Sequence, residues 1–491
     1  MTDQTPDENS QEVDAGLRVR IRMYRQGLGG CFLLSFFKGE IVKHVLIDCG
    51  VLQGTRDGEE TMQKVARNIR RTTGGKLDLV VGTHEHWDHL SGFVQAQQIF
   101  NQIKFRQIWL AWTEDPNDTL AQELGRERDM ALQAVKTALD LMPEEMAQQR
   151  RELFGLLNFY AEPLSGVSIS GAREALDYLL GREDALVCFC RPDEPPRALE
   201  GLPEVRFFVL GPPRDEKMLK KTRPTKRGKE GYGLAPETSL LSSFLAAVSG
   251  RADGKTVAET DGLPFDERYG RTKEQALEIP FFNTYYGFSD ESDQGPAWRR
   301  VGFDWLASAG SLALNLDSAT NNTSLALAIE LGNSGQVLLF PADAQVGNWL
   351  SWDELKWKLA APDGQTQLVK AQDLLQRTVF YKLGHHGSHN ATLREKGLER
   401  MTSPDLQAMI PVDRAMVETR GWNMPFPSLL ERLQEKTRGR VIRLDDGIPN
   451  ALPQADDGAP LINQAAWRSF LGQTESKALY LDLFIETGLP G

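Results

Sequence analysis

The chain has 491 residues, 41% of them hydrophobic and 25% charged, values that exclude a disordered or collagen-like polymer and leave ample material for a core. Its net charge of -12 excludes a global positive field that draws nucleic acid to the whole surface, so a polyanionic ligand has to be held locally. The 4 cysteines are too sparse for a disulfide framework, no apolar run reaches the ~18 residues of a membrane span, and the acidic stretch Met1 to Asp14 lacks the pattern of a signal peptide. These features read as a cytoplasmic protein with no membrane partner and a disordered tail over 1–15.

From Leu17 to Met23 apolar and charged residues alternate at the period of a half-buried strand, and a turn with Gly27, Gly29 and Gly30 leads into a second strand from Cys31 to Phe36. A third strand, His44 to Cys49, delivers Asp48 at its end; His44, at the other end, reads as a surface or core residue. The apolar run Leu77 to Gly82 then passes directly into Thr83-His84-Glu85-His86-Trp87-Asp88-His89. Histidines at alternate positions leaving a strand can point to one side and share a metal ion, while Asp88 and His89, at the turn into the next helix, can be aimed at a neighbouring ion. Imidazole and carboxylate ligands suit zinc, manganese or iron. The plain alternative is a histidine-rich polar loop, but three of the chain's 7 histidines fall within these six positions.

A helix is expected from Phe93 to Phe100 and a strand from Ile108 to Trp112. Asp115 and Pro116 then read as an N-cap and first helical position, with Leu124, Leu132, Val135, Leu139 and Met142 at helical spacing. Further helices over 144–160 and 172–180 complete a helical insertion over about 114–183. Strands follow at Leu186 to Cys190, where Cys188 and Cys190 read as small core residues rather than a metal pair, and at Val205 to Leu210. Periodicity weakens from about 214 to 317, apart from a short helix near Ser239 to Val248 and a segment from Trp298 to Leu306. This second insertion opens with Lys217, Lys220, Lys221, Arg223, Lys226, Arg227 and Lys229, either a solvated loop or a phosphate-binding arm. Phe281, Phe282, Tyr285, Tyr286 and Phe288 form a satellite core or a base-stacking surface.

Order returns at Asn321-Asn322-Thr323-Ser324, and strands Leu325 to Glu330 and Val337 to Phe340 deliver Asp343. A carboxylate there can bridge two ions. Trp349, Trp352 and Trp357 read as core. A strand over Val379 to Lys382 runs into Gly384-His385-His386-Gly387-Ser388-His389-Asn390, so six of seven histidines lie in two strand-end motifs, which predicts that the motifs converge. An extension over about 450–491 follows.

The H-x-H-x-D-H motif after a strand resembles the metallo-β-lactamase superfamily. Within it, the glycine-rich hairpin Gln26 to Leu33, N-N-T-S, F-P-A-D-A and K-L-G-H-H-G-S resemble the hydrolase domain of the DNA-uptake competence protein ComEC and its soluble relatives. This resemblance implies an α/β fold, an αββα sandwich of two mixed sheets flanked by helices, over a single domain at 16–491; it covers neither insertion. It implies two divalent ions, zinc or manganese, one held by His84, His86 and Asp343 and the other by Asp88, His89, Asp343 and one of His385/His386, with His385 preferred. Asp48 is implied as a brace of the loop in preference to a ligand. The chain departs from the pattern in having no histidine between His89 and His385, which leaves one ion short of a protein ligand, and in placing Asn423 where the branch carries a histidine.

The implied function is a metal-dependent hydrolase that uses a hydroxide at the dinuclear site, a phosphodiesterase on nucleic acid or nucleotide. Asp88, Asp343, His386, Ser388 and His389 are the candidate catalytic residues, and Lys382, Asn390, Lys220, Lys221 and Arg223 the candidate substrate contacts; Ser388 equally suits a helix cap. The alternatives are a hydrolase of a small phosphoester, lactone or thioester, and a metal-binding scaffold whose insertions engage a protein partner.

Overall fold

The computed structural model describes residues 16–141, 147–160, 171–221, 271, 275–276, 278–286, 307–360, 365–455 and 458–487. The tail at 1–15, the segments from Ser239 to Val248 and from Trp298 to Leu306, and Arg223, Lys226, Arg227, Lys229 and Phe288 lie outside them.

Strands β1 (Arg18–Tyr24), β2 (Cys31–Lys38) and β3 (Ile41–Cys49) form an antiparallel meander. Helix α1 (Gly58–Thr72) returns the chain to β4 (Lys76–Leu77) and β5 (Leu79–Gly82), the latter parallel to β3. Helices α2 (Trp87–Gln95) and α3 (Gln97–Phe100) lead through β6 (Lys104–Phe105) to β7 (Gln107–Ala111). The helical insertion follows as α4 (Thr119–Leu141), α5 (Ala147–Leu157) and α6 (Gly171–Leu180), before β8 (Leu186–Cys190).

The chain then crosses to a second sheet with β9 (Arg197–Leu199) and β10 (Leu202–Gly211). Helices α7 (Glu216–Leu219), α8 (Pro280–Tyr286) and α9 (Ala307–Asn322) precede β11 (Ala326–Leu331) and β12 (Gln336–Phe340). After α10 (Val346–Ser351) come the hairpin β13 (Lys356–Ala360) and β14 (Thr366–Lys370), α11 (Ala371–Gln376) and β15 (Thr378–Lys382). Next are β16 (Gln407–Ile410), α12 (Arg414–Thr419), α13 (Pro427–Thr437) and β17 (Val441–Arg443). Finally α14 (Gln464–Gly472), β18 (Thr474–Ser476) and β19 (Tyr480–Glu486) return to the first sheet.

Two mixed sheets result, in the orders β18-β19-β1-β2-β3-β5-β7-β8 and β17-β16-β15-β12-β11-β10-β9. The alternation in β1 sends Val19, Ile21 and Met23 into an apolar layer shared with Phe32 and Leu34 of the same sheet and Phe207, Leu327, Phe340 and Phe380 of the other. The opposite face of the first sheet packs Leu33, Leu46 and Val80 against Met62, Val65, Phe93 and Leu176 of its helices. On the far side of the second sheet Phe208, Leu339 and Tyr381 meet Val135, Leu153, Trp349 and Leu374. The architecture is therefore α/β, two face-to-face mixed sheets with helices on both outer faces.

Several boundaries differ from expectation, among them the start of the helical insertion, where α4 begins at Thr119 with Asp118 accepting from its first turn rather than at Pro116 after Asp115. The helix after the first histidine motif begins at Trp87, not Phe93, so Asp88 and His89 occupy its first turn. The irregular stretch ends in the 16-residue helix α9 rather than continuing to Asp317. The C-terminal residues expected as an extension supply β18 and β19 to the first sheet, where Arg22 of β1 makes a bidentate, buried pair with Asp482 at 2.8 and 2.7 Å. Each histidine motif follows a strand, β5 in one sheet and β15 in the other, and a backbone hydrogen bond from Leu325, just ahead of β11 in the second sheet, to Thr83 (2.8 Å) ties that sheet to the first motif.

Candidate metal centre

The loop after β5 is held from below by Asp48. Its Oδ1 accepts from the Thr83 backbone N–H (2.9 Å), and its Oδ2 accepts from Thr83 Oγ1 (2.9 Å) and faces His89 Nδ1 at 2.7 Å. With Nδ1 engaged there, His89 turns Nε2 toward Asp343 Oδ2 at 3.2 Å and Asp88 Oδ2 at 3.6 Å. His84 and His86 converge, Nε2 of the first 3.0 Å from Nδ1 of the second.

The second sheet supplies the other half. Asp343 follows β12; its Oδ1 accepts from Lys382 Nζ (3.0 Å) and the His385 backbone N–H (3.1 Å), which leaves Oδ2 turned to His89. His386 donates from Nδ1 to the carbonyl of Pro411 (2.7 Å), so the lone pair of Nε2 points inward, 3.1 Å from Asp88 Oδ2. Asp48, Ala342, His385 and His386 all have left-handed backbone, with φ of 56°, 54°, 39° and 51°. Each costs roughly 1–2 kcal/mol in an L-residue, and the four gather around the buried histidines and aspartates.

Asp88, His89, Asp343 and His386 are all buried, and one ligating atom from each lies within 4.8 Å of the others. Asp88 Oδ1 and His89 Nε2 are buried without hydrogen-bond geometry to any protein atom. Two carboxylates and two imidazoles so placed suit a divalent cation, which satisfies such orphaned donors. The electrostatics agree. Burial alone pushes the His89 imidazole down, but Asp343, Asp88 and Asp48 outweigh it and hold the proton well above the usual range, the signature of a site built for positive charge. Burial pushes Asp343 up, yet Lys382 and His89 keep it ionised, well below its ordinary value. His86 and His385, desolvated, fall to about 3 and about 4.

The residues expected at the site distribute unevenly. The preference for His385 is corrected in geometry: His386 occupies the cluster, while His385 Nδ1 lies 3.0 Å from Ser388 Oγ and 3.3 Å from Gln345 Nε2. Left-handed backbone at both residues swings the second imidazole inward, which strand alternation cannot anticipate. Ser388 Oγ donates to Asn390 Oδ1 (2.9 Å), Asn390 Nδ2 donates to Gln345 Oε1 (2.8 Å), and turns rather than a helix follow, so the capping alternative for Ser388 falls. Lys382 is 3% exposed and committed to Asp343 and the Ala342 carbonyl rather than to a substrate. His389 is half-buried beside Phe426, and burial lowers its imidazole below the usual value. Lys220 pairs with Glu127 and Glu216, and the backbone carbonyl of Lys221 accepts from Asn322 Nδ2 at 2.9 Å.

Three contributors carry no motif signal. Gln345 orders the Ser388 loop, Tyr160 places its ring edge-on to His86 at 4.9 Å, and Asp317 on α9 brings a carboxyl to 3.9 Å from His86 Nε2, with burial holding its proton up to about 8. Comparison of the chain with protein-family models gave no match, and comparison with curated proteins gave none either. Among the described residues no helix is long and apolar enough to cross a membrane.

Proposed function

We propose that the chain is a metal-dependent hydrolase of the metallo-β-lactamase type, resembling the ComEC branch, and that it acts as a phosphodiesterase on nucleic acid or nucleotide. The observation that carries this reading is the buried Asp88, His89, Asp343 and His386 cluster, assembled from the segments after β5, β12 and β15. Divalent ions, zinc or manganese, supply Lewis acidity toward a phosphoryl oxygen and lower the pKa of water to about 7. Asp88, His89, Asp343 and His386 would hold one ion and His84 with His86 a second. Lys382 keeps Asp343 ionised, Pro411 fixes the inward lone pair of His386, and half-buried His389 is the candidate to protonate a leaving group.

One observation favours a small phosphoester over a polymer: Lys220, offered from the sequence as part of a phosphate-binding arm, is already neutralised by two glutamates. The test is metal analysis of the purified protein together with hydrolysis of bis-p-nitrophenyl phosphate, with and without added zinc or manganese, for wild type and Asp343→Ala. Metal-dependent turnover lost in the variant is the expected result. Turnover that survives Asp343→Ala, or bound metal with no turnover of any phosphodiester, overturns the phosphodiesterase reading. Relative rates on this substrate and on an oligonucleotide then separate the small-molecule and polymer versions.

A further inference from the structure

Asp317 on α9 is 6% exposed, and the protein treats its two oxygens differently. Oδ2 accepts from Asn321 Nδ2 at 3.1 Å, one helical turn on. Oδ1 has no hydrogen-bond partner and lies 3.9 Å from His86 Nε2, which is also buried and also without one. The other nitrogen of that ring, Nδ1, is 3.0 Å from His84 Nε2. Thus one nitrogen of His86 turns to His84 and the other to Asp317.

Two neutral imidazoles that meet nitrogen to nitrogen either share a proton or together offer lone pairs to a cation. The second arrangement needs the proton of His86 to sit on Nε2, and a buried N–H there needs an acceptor. Asp317 Oδ1 is the acceptor α9 brings up; a movement of about 1 Å closes 3.9 Å to hydrogen-bond distance. The surroundings favour that closure. Tyr160 Oη and Thr320 Oγ1 are 2.8 Å apart, joining α9 to the segment whose Phe159 and Tyr160 rings pack on His86 at 5.5 and 4.9 Å.

We propose that Asp317 is the positioning residue for His86. By holding the proton on Nε2, it leaves the lone pair of Nδ1 turned to His84 Nε2, so that the pair already assigned the second ion offers both lone pairs to it. The inference rests on the reading of the two motifs as a metal centre, but not on any turnover.

The test titrates cobalt(II) into metal-free protein and follows the visible spectrum. Wild type takes up two ions, and His84→Ala identifies the step that belongs to the histidine pair. Asp317→Ala weakens that same step about 10- to 100-fold and leaves the other unchanged. Asp317→Asn, whose amide oxygen still accepts the proton, stays within about threefold of wild type, a rescue that a purely structural role would not give. Nitrogen-15 NMR of wild type shows His86 protonated at Nε2, which keeps the question decidable if Asp317→Ala does not fold. One cobalt step in wild type, a His86 protonated at Nδ1, an Asp317→Ala titration unchanged from wild type, or an Asn variant as weak as the Ala variant each overturns the proposal. A protein that binds two ions in this manner and hydrolyses nothing retains the inference and removes the hydrolase reading.

Discussion

Both oxygens of Asp48 are taken up by the loop that follows β5, so this residue fixes Thr83 and orients His89 while lying outside the ligand cluster. Asp48→Ala takes the acceptor from three buried donors and should weaken zinc binding about 10- to 100-fold, read by chelator competition. A second residue tests the pH behaviour away from the centre. Burial, with Arg20 nearby, lowers His44 to about 4, so the folded state prefers its neutral form. The stability this contributes is present above the unfolded value of about 6.5 and is lost as pH falls from there toward 4. His44→Gln should therefore narrow the loss of urea resistance between pH 7 and pH 4.5; an equal gap between variant and wild type at both pH values would contradict this. At this scale the candidate residues were legible because histidine is rare in the chain and six of the seven sit in two motifs at strand ends. Asp317 was not, since a single aspartate in a small-residue helix has no pattern, and the choice between His385 and His386 depends on backbone that runs against strand alternation.

The elements that deliver these residues meet at very short range. A Cβ at Gly50, just past β3, would lie 2.5 Å from the backbone of Asp88 at the start of α2. Gly50→Ala should then displace Asp88 and His89 together and lower metal affinity about tenfold or more with the sheets intact, seen as unchanged far-UV circular dichroism beside weakened zinc binding. On the other side of the first sheet, β1 and β19 are joined by the buried Arg22 and Asp482 pair. Asp482→Ala strands a buried guanidinium and should cost about 3–5 kcal/mol of stability in a denaturant melt. The strands were readable from alternation in β1 and from apolar runs such as β5 and β12. Helix α9 was missed because its apolar positions are diluted by Ser, Asn, Gly and Ala, and β19 because its partner, β1, stands more than 450 residues earlier in the chain.

Across the whole molecule the cluster joins the two sheets, since Asp88 and His89 follow β5 of the first sheet, while Asp343 follows β12 and His386 follows β15 of the second. An ion held there should stabilise the entire fold, by about 2.7 kcal/mol at a free concentration 100 times its Kd. Removal by chelation should lower the thermal midpoint of wild type and leave that of Asp343→Ala unmoved, by differential scanning fluorimetry. Sequence spacing predicted the convergence but not how it is reached, because neither insertion resembles anything that sets its path. The distance along the chain also orders events in time. His386 follows Asp88 by 298 residues, a delay of roughly 15–60 s at ribosomal rates of about 5–20 residues per second. Over that interval a nascent polypeptide displays the first motif without its counterpart, so a fragment interrupted before β15 would lack one of the four residues that could hold an ion.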